Sequence, residues 1–162
     1  MGSGKSSIGK ELAHKLGIDF IDLDDAIEKK TGKTISNIFS EEGEGSFRKI
    51  EHECLKDIIF IDNIVVATGG GTPCFYNNME LINQYGISVY IKFNAGFLAS
   101  RLYENKGSRP LINNFSKKED FKIFIETNLD EREKFYLQSN FTIDGKNISV
   151  KKIIEMLAKR AV

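Results

Sequence analysis

The chain opens Met1-Gly2-Ser3-Gly4-Lys5-Ser6-Ser7 and passes directly into residues with helical spacing. Glycines let consecutive backbone N–H groups curl around phosphate oxygens. A helix that starts there turns its positive end toward the same oxygens. Gly2 to Ser6 match the latter part of the pattern G-x-x-x-x-G-K-[ST]. In that pattern Lys5 would reach the β- and γ-phosphates of a nucleotide, and the Ser6 hydroxyl would bind Mg²⁺. The first glycine of the pattern would fall before Met1, so these residues also read as a flexible Gly/Ser lead-in to a helix.

Asp22-Leu23-Asp24 closes a short strand, and strand alternation places the two carboxylates on one side of the chain. One could hold a metal-bound water; the other could accept a proton from a substrate hydroxyl. Asp24 reads equally well as the N-cap of the next helix. Gly69-Gly70-Gly71 follows an apolar strand and would let backbone N–H groups approach a ligand closely; a tight turn is the other reading. Arginine is scarce, five residues against 18 lysines. Positions that keep it are candidates for needing a planar, bidentate fork. Arg48, Arg109 and Arg132 lie beside helices and a loop that could close over a phosphate site, although each alone could be a solvated surface charge.

These groups need a scaffold, and helix and strand signals alternate along the whole chain, which predicts a parallel α/β sheet. Helices are expected at 5–16, 24–31, 34–41, 45–60, 78–85 (closed by Gly86 as a left-handed cap) and 95–104 (entered from Asn94). Others are expected from a capping box at Ser116 to Glu119, at 130–139, and after Ser149. Strands are expected at 19–22, 64–68, 89–93 and 141–143. The length of 162 residues suits one domain, 1–162. Charges balance at 23 against 23, which argues against a nucleic-acid binder. There is no apolar run long enough for a membrane span and no signal-peptide pattern. Cys54 and Cys74 lack metal or disulfide spacing and suit a reducing, cytoplasmic setting. His14 and His52 read as helix-surface residues without ligand neighbours.

Taken together, these motifs resemble the shikimate kinase family over essentially the whole chain. The resemblance rests on GSGKSSIGKELA, FIDLDDAIEKKTGKTISNIFSEEGEGSFRKIE, the ATGGGT turn, the SRPLI loop and DEREKFY. It implies a three-layer P-loop kinase fold with a five-stranded parallel sheet of order 2-3-1-4-5. It also implies a substrate-binding segment at 24–60 and a lid at about 105–127. By the same resemblance Gly2, Ser3, Gly4, Lys5 and Ser7 hold ATP phosphates. Ser6 and, through water, Asp22 hold Mg²⁺. Asp24 binds and activates the acceptor hydroxyl. Arg48 and Arg132 clamp the shikimate carboxylate in a pocket lined by Gly70 and Gly71. Arg109 belongs to the lid, and Arg101 and Lys146 lie toward the adenine.

The implied activity is ATP-dependent phosphorylation of the shikimate 3-hydroxyl, with small-molecule partners only, in a monomer. The other readings are a gluconate-kinase-like or nucleotide-kinase-like transferase, or a non-catalytic nucleotide-binding remnant. The resemblance also implies that the first, central strand of the sheet is missing from this chain. The expectation is then four parallel strands, with a slot where a segment of roughly 8–12 residues belongs.

Overall fold

The computed structural model describes residues 2–104, 115 and 117–159. In chain order the elements are α1 (Lys5–Leu16), β1 (Asp19–Asp22), α2 (Leu23–Thr31), α3 (Ile35–Ile58), β2 (Ile64–Ala67) and α4 (Asn78–Tyr85). β3 (Val89–Lys92), α5 (Ala95–Glu104), α6 (Lys118–Tyr136), β4 (Phe141–Asp144) and α7 (Val150–Ala158) follow, with short 3-10 turns at Thr72–Cys74 and Gly145–Asn147.

The four strands among the described residues form two parallel pairs. β1 pairs with β2, Asp19 opposite Ile64 through Asp22 opposite Ala67, and β3 pairs with β4, Val89 opposite Phe141 through Lys92 opposite Asp144. Among the described residues no ladder joins the two pairs. A cavity of about 520 Å³ runs between them, lined by Val65 and Ala67 of β2, Val89 and Ile91 of β3, and Gly9 and Leu12 of α1.

Three apolar clusters hold the elements. Leu23, Ile27, Ile38, Phe47 and Leu55 pack α2 and α3 under β1 and β2. Leu98, Ala99, Leu102, Phe121 and Ile125 join α5 to α6. Leu12, Ile143, Val150 and Ile153 bring α1, β4 and α7 together. Each Leu, Ile, Val or Phe among them contributes about 1.5–3 kcal/mol by leaving water. α1 packs closely on β1 because Gly9 carries no side chain: a Cβ there would meet the Phe20 ring at 2.8 Å.

The two helices expected at 34–41 and 45–60 are the two halves of Ile35–Ile58, separated at Gly43, whose φ of 81° and ψ of 172° are not helical. Two local expectations need correction. Gly86 closes α4 in an extended conformation (φ −151°), not a left-handed one, while its N–H still reaches Ile82 O at 3.0 Å. An extended exit feeds the chain straight toward β3. The helices expected from 116 and over 130–139 are one continuous α6, because neither glycine nor proline interrupts Lys118–Tyr136. Ser116 of the expected capping box and Arg109 of the expected lid lie outside the described residues. Of the expected lid segment, Phe115 packs against the α5–α6 cluster, and 118–127 form the first half of α6.

Candidate active site

The chemistry-bearing residues gather at the carboxyl ends of β1 and β2, where open parallel sheets bind ligands. Gly4 precedes α1 in the left-handed region (φ 84°), which a side chain would strain. The Arg101 guanidinium of α5 stands beside it, with Nη2 3.5 Å from where a Cβ would be. Leu102 packs against Gly2 in the same way. Ser6 Oγ donates to Asp22 Oδ2 at 2.5 Å, and Lys5 Nζ lies 3.4 Å from Ser6 Oγ. Ser7 is exposed in the first turn of α1, and Lys146 is exposed on the turn after β4.

Asp22, not Asp24, caps α2, its Oδ1 accepting the Asp24 N–H at 3.1 Å. Strand alternation is therefore not what brings the carboxylates together. β1 ends at Asp22, and Asp24 already sits in the first turn of α2, fixed by the fully buried Leu23. Burial pushes the Asp24 carboxyl above its ordinary value; Lys5 pulls it back, while Asp22, Glu51 and Asp25 raise it further. A carboxyl raised by burial beside a lysine is placed to exchange a proton with a neighbouring hydroxyl. Ser6 and Asp22 offer a hydroxyl and a carboxylate within hydrogen-bond distance. This hard-oxygen pair fits Mg²⁺, which takes few protein ligands and shares phosphate oxygens and waters.

A second group surrounds the glycine turn after β2. Arg48, on α3, is nearly buried. It donates from Nη1 to Glu51 Oε2 at 2.8 Å and from Nε and Nη2 to Glu44 Oε1 at 3.2 and 3.0 Å. Its guanidinium stacks 4.2 Å from the Phe75 ring centroid. From α6, Arg132 Nη2 donates to Asn128 Oδ1 at 3.0 Å, and one turn on the Tyr136 hydroxyl donates to Gly70 O. Burial raises the Tyr136 phenol and the Cys74 thiol, and at both groups Arg132 and Arg48 oppose the rise. Arg48 thus lies against Gly71 of the 70–74 turn, and Arg132 sits one turn of α6 before Tyr136, whose hydroxyl holds Gly70 O.

Glu51, Thr72 and Tyr136 are part of this site, and sequence reasoning assigned none of them a role. Signals existed for two: Glu51 follows Arg48 by three residues and Tyr136 follows Arg132 by four, both same-face spacings on a helix. His52, expected as a plain surface residue, is half-buried. Its Nδ1–H donates to Asn78 Oδ1 at 2.6 Å, and its ring stacks on Tyr76.

A Gly-rich loop entering a helix, a lysine and two carboxylates beside it, and an arginine held at the next glycine turn are the arrangement expected of a P-loop kinase. The family model for shikimate kinase matches residues 1–161. The chain is 47% identical to shikimate kinase of Azobacteroides pseudotrichonymphae genomovar. CFP2, over 97% of this chain and 92% of the relative. It is 41% identical to shikimate kinase of Parabacteroides distasonis, over 91% and 85%. The structure is similar to crystalline shikimate kinase from Bacteroides thetaiotaomicron, with TM-score 0.92, 35% identity and coverage of 98% and 94%. It is also similar to shikimate kinase from Acinetobacter baumannii in complex with shikimate, with TM-score 0.86, 34% identity and coverage of 99% and 89%. The chain belongs to the shikimate kinase family.

Proposed function

We infer that this protein transfers the γ-phosphoryl group of ATP to the 3-hydroxyl of shikimate, giving shikimate 3-phosphate and ADP. The observation that carries this reading is the placing of Arg48 against Gly71, and of Arg132 one turn of α6 before the Tyr136 that holds Gly70 O, at the glycine turn beside Asp24. Two forks suit one carboxylate, and a raised carboxyl suits a neighbouring hydroxyl. Segment 24–60 holds a single arginine, Arg48, which fits shikimate better than a nucleotide or sugar phosphate.

In this reading Lys5 and the backbone of Gly2, Ser3 and Gly4 hold the β- and γ-phosphates, and Ser7 holds the α-phosphate. Ser6 and Asp22 would hold Mg²⁺, which when bound neutralises phosphate charge. Asp24 orients the acceptor hydroxyl and takes its proton. Arg48 and Arg132 grip the carboxylate, with Gly70 and Gly71 as the pocket floor. Arg101 and Lys146 serve the nucleoside side. The lid at about 105–127 brings Arg109 to the transferring group and excludes water. The enzyme's contribution is chiefly positioning and charge stabilisation. The reading is of a single-domain, monomeric, cytoplasmic enzyme; among the described residues no helix is long and apolar enough to cross a membrane.

The same reading gives a five-stranded sheet of order 2-3-1-4-5, in which β1, β2, β3 and β4 take places 2, 3, 4 and 5 and a further parallel strand, number 1, lies between β2 and β3. The apolar cavity between those strands supports it. Unpaired strand edges cost about 1–3 kcal/mol per buried group, which such a strand would recover. A chain extended ahead of Met1 by an apolar, β-branched strand is expected to melt higher and bind ATP more tightly than the 162-residue chain. Equal melting and equal affinity would remove that strand from the reading. For the reaction, ADP release is measured with shikimate, gluconate and nucleoside monophosphates as acceptors. Shikimate alone is expected to support turnover, and turnover with another acceptor at a higher kcat/KM would replace it.

A further inference from the structure

We propose that Thr72 is a positioning residue for the carboxylate clamp: its hydroxyl sets the plane of the Glu51 carboxylate, which in turn aims the Arg48 guanidinium into the pocket. This rests on the reading of Arg48 as part of that clamp. Glu51 and Thr72 are both fully buried. A buried carboxylate is tolerated only when hydrogen bonds and a counter-charge satisfy it. Thr72 Oγ1 donates to Glu51 Oε1 at 2.6 Å, and Arg48 Nη1 donates to Oε2 at 2.8 Å. The division of labour is one oxygen for each partner. It leaves the rest of the guanidinium free of Glu51, stacked on Phe75 with its outer edge toward Glu44.

Thr72 can fix Glu51 because it is itself fixed. Its N–H reaches Gly69 O at 3.2 Å, and its carbonyl accepts from Asn78 Nδ2 at 2.8 Å. Asn78 is fully buried, and its Oδ1 accepts from His52, the residue next to Glu51 on α3. Glu51, Thr72, Asn78 and His52 thus tie α3 to the glycine turn at two adjacent points. The space around Gly69 is also closed: a Cβ there would meet Glu51 Oε1 and Thr72 Oγ1 at 3.0 Å and Asp24 Oδ1 at 3.2 Å. Without the Thr72 hydroxyl, Oε1 loses its donor. The carboxylate then turns to take Arg48 with both oxygens and draws the fork out of the pocket.

The test compares Thr72→Val, Thr72→Ala and Thr72→Ser in the full chain, with KM for shikimate, KM for ATP and kcat measured for each. Val and Ala are expected to raise the shikimate KM roughly 5- to 20-fold, with ATP KM and kcat little changed; Ser is expected to restore the parent value. Substitution at Thr72 in an Arg48→Ala background is expected to add nothing further to the shikimate KM. A purely structural residue would lower the melting temperature and the active fraction, without a selective shift in shikimate KM. If Arg48→Ala raises the shikimate KM and neither Val nor Ala does, the proposal is wrong while the clamp stands. If Arg48→Ala leaves that KM unchanged, the clamp reading fails and the proposal falls with it. Should neither Val nor Ala fold, a Ser variant with parent melting but a shikimate KM raised as far as in Arg48→Ala would overturn it, and parent KM would support it.

Discussion

The Arg48 guanidinium lies flat against the Cα of Gly71, so that a Cβ on Gly71 would stand 2.6 Å from Nη2 and 2.8 Å from Cζ. No side chain fits there while Arg48 keeps its place. Glu51, Glu44 and the Phe75 ring all resist its displacement. Gly71 (φ −89°) is not in a conformation that needs glycine, so the requirement is space and not backbone strain. Gly71→Ala is therefore expected to act on the clamp. Shikimate KM should rise on the order of tenfold or more, as for a charge-assisted hydrogen bond lost, with ATP KM nearly unchanged. Steady-state kinetics with each substrate varied would check this, and an unchanged shikimate KM would show that Arg48 can move without consequence.

Arg48→Lys and Arg132→Lys test the forks themselves. Lysine keeps the charge but not the planar pair of donors. Each variant is expected to raise the shikimate KM roughly 10- to 150-fold, corresponding to about 1.5–3 kcal/mol, and to spare ATP binding. Isothermal titration with shikimate and with an ATP analogue would separate the two effects. Near-parent shikimate affinity in both variants would dismiss the clamp.

Tyr136 links α6 to the glycine turn through its hydroxyl on Gly70 O. Tyr136→Phe removes the donor and leaves that carbonyl without it. The expected cost is about 1–2 kcal/mol of stability, seen in denaturant unfolding, with a moderate rise in shikimate KM. Parent-like stability would mean that water replaces the hydroxyl at no cost.

Asp24 carries a stability penalty at the place where the proposed reaction needs a proton acceptor. Its carboxyl is raised in the folded protein, chiefly by burial, so protonation favours the folded state. That contribution is complete below the ordinary value of 3.8 and is lost as pH rises through the raised value. At neutral pH the charged form works against folding. Asp24→Asn is therefore expected to melt higher than the parent at pH 7, with the difference shrinking as pH falls toward 3.8. Turnover should drop by about 10²- to 10⁴-fold as the proton acceptor disappears. Melting curves across pH would check the sign, and a lower melting temperature for the variant at pH 7 would reverse it.

Much of the scaffold could be read from local pattern because local physics sets it. The α1 spacing, the Ser149 cap of α7 and the β-branched run of β2 each follow from a few neighbouring residues, and the structure contains all three. The turn into α1 was legible for the same reason: Gly4, Lys5 and Ser6 are contiguous, and Gly4 takes the left-handed conformation at the helix start. Family resemblance extended this to Arg48 and Arg132, which lie far apart in sequence.

Tertiary structure alone decided how those distant residues are held. Glu51 and Thr72 are 21 residues apart, Tyr136 and Gly70 are 66 apart, and neither contact leaves a periodic mark in the chain. Asp22 could be recognised as a carboxylate near a strand end, but its role as the α2 cap depends on where β1 stops. His52 belonged to a plausible surface helix face until α4 brought Asn78 against it. Sequence by itself determined which groups are available and which helices and strands carry them, because hydrophobic spacing and turn chemistry act over a few residues. The pairing of buried polar groups was settled only by the fold, because burial is what makes an unpaired carboxylate or carbonyl costly enough to select one partner.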